Sequence, residues 1–137
     1  MRKSFTRSFD ELSAIVAFTE DFFRLEHIDP SLRNVVDLCV EELFVNMVTY
    51  NTETKEDILI ELEPNNGGVQ VSLTDFNVER FDPRAAPAVD IEAPLEERTP
   101  GGLGLYLVLK MANAIHYEYR DRRSKITFVT DGKPQDV

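Results

Sequence analysis

The sequence predicts an α+β fold, a two-layer sandwich in which helices cover one face of a single mixed, mostly antiparallel sheet. Three observations predict it. Two segments with helical apolar spacing, about 10–24 and 30–50, come early in the chain. Two strand pairs, 58–73 and 116–130, each fold back around a short polar turn. Helices and hairpins stand in separate blocks, the pattern of helices laid against an antiparallel sheet. With 137 residues, 42% hydrophobic and 29% charged, residues 1–137 read as one domain able to bury a core.

Residues 3–8 suit a short edge strand. Ser8 or Asp10 caps a first helix to about Arg24, with Leu12, Ile15, Val16, Phe18 and Phe22 as its apolar stripe. Asp29-Pro30 opens a second helix reaching about Tyr50, because the carboxylate caps and proline suits the first turn. Ile58 to Leu62 and Val69 to Leu73 form a hairpin across the turn-forming Pro64-Asn65-Asn66-Gly67-Gly68. Residues 82–100 hold Pro83, Pro87, Pro94 and Pro100 and little periodicity, as a long functional loop does. A third helix is expected over about 105–114, and a closing hairpin turns around residues 121–124.

The net charge of −10 repels phosphates and anionic lipid, which argues against nucleic acid and membrane partners. It suits a basic protein partner. A single cysteine, Cys39, excludes an internal disulfide and fits a reducing compartment. No apolar run reaches membrane-spanning length, and no apolar signal core follows the basic start. These features lead to the expectation of a cytoplasmic protein.

Candidate chemistry concentrates in three places. On a wheel of about 100° per residue, Leu32, Val36, Cys39, Leu43, Met47 and Tyr50 share one stripe of the second helix. Asn46 falls inside this stripe and Glu42 at its edge, while Asp37 and Glu41 point to solvent. Such groups buried unpaired are costly. A carboxamide oxygen is a hard ligand for Mg²⁺, and a carboxylate one turn away can deprotonate a nucleophile; an internally paired core network is the alternative. Gly101-Gly102-Leu103-Gly104-Leu105 runs into an apolar helix, where bare N–H groups and the helix dipole suit phosphate. It lacks the Lys-Ser/Thr of a P-loop and serves equally as a turn closing the proline-rich loop. Asp75 ends a strand, where it can accept from a base amino group or simply start a turn.

Taken in order, these segments resemble one superfamily. Glu42-Leu43-Phe44-Val45-Asn46 is similar to the N-box of the gyrase, heat-shock chaperone and histidine kinase ATPases, whose domain is the Bergerat fold. Thr74-Asp75 resembles their first glycine box and Gly101 to Leu105 their second. Phe81-Asp82-Pro83, and the glycine segment continuing into Tyr106-Leu107-Val108, resemble the bacterial anti-sigma factor serine kinases. The resemblance covers nearly the whole chain. It implies ATP and Mg²⁺ as cofactors, Glu42 as general base and Asn46 as Mg²⁺ ligand. It implies that Asp75 binds the adenine amino group with Thr127 supporting it, and that Asn77 and Phe81 belong to the base site. Gly101, Gly102, Leu103, Gly104 and Leu105 would contact phosphate, under a lid at about 83–100. Three departures stand out: Asn77 where the family has glycine, Tyr50 where it often has a basic residue, and one extra residue between Asp75 and Phe81.

The function implied is a serine kinase that phosphorylates a small antagonist protein and so regulates a sigma factor, with a homodimer as the family's assembly. The alternative is a regulator of the same fold that binds protein without catalysis. A histidine kinase reading fails on His27 and His116, which fall in a loop and on a strand rather than on a dimerisation helix.

Overall fold

The computed structural model describes residues 1–79 and 114–130. Its strands are β1 (Arg2–Phe5), β2 (Ile58–Asn65), β3 (Gly68–Phe76), β4 (Ala114–Arg120) and β5 (Arg123–Thr130), and its helices α1 (Leu12–Leu25) and α2 (Arg33–Tyr50). The strands form one sheet in the order β1-β2-β3-β5-β4. Every pairing in it is antiparallel, so the mixed sheet expected from the sequence is, among the described residues, antiparallel throughout. For β2-β3 and β4-β5 the cause is local: each hairpin closes through a two-residue turn, which admits no other direction. Asn66 and Gly67 form one turn (φ 49° and 83°), Asp121 and Arg122 the other (φ 52° and 60°). Such left-handed pairs match the twist of the flanking strands.

Both helices are entered through capped turns. The Ser8 hydroxyl accepts from the Asp10 N–H at 3.1 Å, and an Asp29 carboxylate oxygen accepts from the Ser31 N–H at 2.9 Å. A short tight turn, Phe9–Glu11 or Pro30–Leu32, precedes each regular helix. The core lies between the helix layer and one sheet face. Phe22, Val36, Leu43 and Phe44 meet Ile60, Leu62, Val71, Leu73, Ile126 and Phe128 there, all buried. Phe5 of edge strand β1 joins it through an edge-on contact with Phe18, 5.7 Å between ring centres.

Four positions depart from the expected stripes. Val16, at the margin of the α1 arc, is 45% exposed, and Thr19 is buried in that arc with its hydroxyl donating to the Ile15 carbonyl at 3.1 Å. Tyr50 lies on the α2 stripe but in its last turn, and is 42% exposed. Asp37 is half-buried rather than solvent-facing, held by Arg33 at 2.9 Å one turn earlier. Among the described residues no helix is long and apolar enough to cross a membrane.

Candidate functional site

Helix α2 carries the first part of the site. Asn46 is buried, and its Nδ2 donates to the Glu42 main-chain carbonyl at 2.9 Å. A carbonyl can only accept, so this bond fixes which end of the amide faces which way. Among the described residues, Asn46 Oδ1 is left buried with no hydrogen-bond partner. An acceptor in that position costs roughly 1–3 kcal/mol unless something binds it. Glu42, one turn earlier, is half-buried. Burial pushes its carboxyl above the ordinary value, and the charge of Glu41 adds to this. Glu41 itself is exposed.

The orphaned amide oxygen also tests whether a divalent ion fits. Mg²⁺ takes hard oxygen ligands and keeps several waters or phosphate oxygens, so one protein oxygen suffices when the ion arrives with a nucleotide. Asn46 Oδ1 has that chemistry and is unclaimed. Among the described residues no group of three His, Cys, Asp or Glu side chains could hold a metal by itself. The residues present fit an ion shared with phosphates.

The second part lies at the end of β3. Residues 69, 71, 73 and 75 point to the helix layer, so Asp75 ends the buried row and is fully buried. Arg7 Nη1 donates to Asp75 Oδ1, while Arg7 Nη2 and Asn51 Nδ2 donate to Oδ2 at 3.1 and 2.6 Å. Two residues on, Asn77 adopts the left-handed conformation at φ 59°, which asparagine tolerates better than most residues. Arg122 Nε donates to Asn77 Oδ1 at 3.1 Å, and the Arg122 carbonyl accepts from the Val78 N–H at 3.0 Å. Asn77, where the resemblance expects glycine, takes a positive φ of the kind glycine adopts most easily.

Thr127 is not brought to Asp75. It pairs with Ser72, and their hydroxyls lie 2.9 Å apart. Strand side chains alternate in direction, so Ser72 and Thr127 stand on the sheet face opposite Asp75. The β5 residue in register with Asp75 is Ser124, which is buried. Phe81, Gly101, Gly102, Leu103, Gly104 and Leu105, the lid at 83–100 and the helix expected over 105–114 lie outside the described residues, apart from Ala114, which opens β4.

Sequence reasoning missed Arg7, Asn51 and Ser124. Arg7 and Asp75 are 68 residues apart, and no local pattern marks the pair. Ser124 was within reach, since counting back by two from the apolar Ile126 puts position 124 on the core face.

Comparison with known proteins gives the same fold. The histidine kinase-like ATPase domain matches residues 5–130. The chain is 27% identical over 124 residues to the serine/threonine-protein kinase BtrW of Bordetella bronchiseptica, covering 85% of this chain and 87% of that one. It superimposes with a TM-score of 0.65 on the crystal structure of the RsbU and RsbW domains of Rv1364c from Mycobacterium tuberculosis, at 11% identity. That match covers 96% of this chain and 31% of the larger one. An ATPase domain implies ATP as the nucleotide. With a five-stranded antiparallel sheet and two helices among the described residues, and a match across 5–130, the chain belongs to the histidine kinase-like ATPase domain family.

Proposed function

We propose that the chain is a cytoplasmic ATP- and Mg²⁺-dependent protein serine kinase whose substrate is a small antagonist protein, and that it controls a sigma factor through that partner. The observation that carries the proposal is the buried, unpartnered Asn46 Oδ1 one turn from Glu42. Its support from outside the site is the resemblance along the chain to a serine/threonine kinase.

Each residue has a defined task in this reading. Asp75 accepts a hydrogen bond from the adenine amino group, with Ser124 beside it in register. Asn77 turns the chain beneath the base. Asn46 holds the ion, which when bound screens the phosphate charge. Glu42 accepts the proton of the partner's serine hydroxyl as that oxygen bonds to the γ-phosphorus. The bond from the γ-phosphorus to its bridging oxygen breaks, and ADP leaves with that oxygen. Phosphoryl transfer of this kind depends mainly on positioning and electrostatics. Burial of Glu42 serves it, because a carboxylate with a raised pKa is the stronger base.

The test is incubation with Mg²⁺, γ-labelled ATP and a small candidate antagonist protein from the same organism. Label is expected on a partner serine. No transfer at any partner concentration would defeat the kinase reading and leave a regulator that binds protein without catalysis.

A further inference from the structure

The interactions of Arg7 extend beyond Asp75. Its guanidinium also donates to three carbonyls: Nη1 to Glu56 at 3.2 Å, and Nη2 to Met47 at 2.7 Å and Asn51 at 3.0 Å. The side chain is 9% exposed, and that of Asp75 fully buried. Met47 and Asn51 lie at the C-terminal end of α2, where a cation is favourable; the Met47 carbonyl also accepts from the capping Asn51 N–H at 3.1 Å. One planar group therefore joins the segment after β1, the end of the helix bearing Glu42 and Asn46, and the last core-facing residue of β3.

Its effect on Asp75 follows from a count of lone pairs. A carboxylate offers about four acceptor sites. Arg7 takes one on each oxygen and Asn51 takes a second on Oδ2. One acceptor site on Oδ1 is left. The fork geometry of a guanidinium fixes the carboxylate plane as well as its charge, which a lysine cannot do.

We infer that Arg7 is a positioning residue for base recognition: by holding Asp75 as an acceptor with one site unused, it gives the site its preference for a base that carries an amino group over one that carries a carbonyl. The inference rests on the reading of Asp75 as the base-binding carboxylate. Adenine offers an N–H to that open site. Hypoxanthine presents a carbonyl oxygen, which faces the carboxylate acceptor to acceptor. Loosening the carboxylate weakens the bond that the adenine amino group makes, while hypoxanthine, which has no amino group at that position, changes less.

Equilibrium titrations of the full chain with ATP and with inosine triphosphate test this. The wild type is expected to prefer ATP. Arg7→Gln should weaken ATP binding about tenfold while inosine triphosphate changes less than about twofold. If Asp75→Asn abolishes the preference but Arg7→Gln weakens both nucleotides equally, or neither, Arg7 is only structural and the inference is overturned. If the wild type does not discriminate and Asp75→Asn has no effect, the base reading of Asp75 fails and the inference falls with it. Arg7→Gln leaves a buried carboxylate without its counter-charge and risks misfolding. Arg7→Lys keeps the charge without the fork, so it should lose several-fold in ATP alone; an unchanged ratio in that variant would also overturn the inference.

Discussion

At Glu42, burial first and the Glu41 charge second raise the carboxyl above its ordinary value of 4.5. The sign matters for stability. A carboxyl whose folded pKa is raised favours the folded state more as the pH falls through that value, and at neutral pH its charge is a burden. Glu42→Gln should therefore melt at or slightly above the wild-type temperature at neutral pH and retain ATP binding. Its phosphoryl transfer should fall about a hundredfold or more, the usual scale for a lost general base. Calorimetric melting and the labelled-ATP assay read the two effects separately. In the wild type, the acid limb of the transfer rate should lie above pH 4.5. The roles of these residues were legible only in part. The helix wheel selected Glu42 and Asn46 over Glu41 because burial on a helix follows a fixed angular period. It could not show that Asn46 spends its amide N–H on Glu42's carbonyl and leaves its oxygen free, since that is a matter of rotamer.

At the scale of the element, strand parity decides which side chains can stand beside Asp75. Thr127 was placed beside Asp75 by resemblance, but a one-residue offset on a strand moves a side chain to the other face. The register fixes Asp75 opposite Ser124 and Ser72 opposite Thr127. Ser124→Ala should weaken ATP binding by roughly 1 kcal/mol, about fivefold, as one lost hydrogen bond does. Thr127→Ala, whose partner is Ser72 on the outward face, should leave it within about twofold. Titration calorimetry on the two variants compares them directly. The helices and hairpins themselves were legible because capping and turn residues act locally. Asp29-Pro30 and Asn66-Gly67 perform in the structure the tasks their chemistry suggests. The exposure of Val16 and Tyr50 was not legible, because where one helix leaves cover depends on how the layers stack.

For the whole molecule, the layer of helices over one sheet face makes Cys39 a reporter of unfolding. It is fully buried on α2, and burial pushes its thiol up to about 11, with the Glu42 charge adding to the shift. Thiolate is the reactive form. Labelling by iodoacetamide at neutral pH should proceed only as fast as the core opens, and should accelerate in urea in step with the loss of helical circular dichroism. The architecture was read from the order of blocks, while contacts spanning the chain, Arg7 to Asp75 above all, have no local signature. The central claim concerns the unclaimed oxygen of Asn46 and the metal–nucleotide complex it fits. ATP affinity measured by titration calorimetry with Mg²⁺ and with EDTA, in wild type and in Asn46→Ala, tests it most directly. The wild type is expected to bind ATP about an order of magnitude more tightly with Mg²⁺, and the variant to bind it equally in both conditions. A variant that keeps the full Mg²⁺ effect would contradict it.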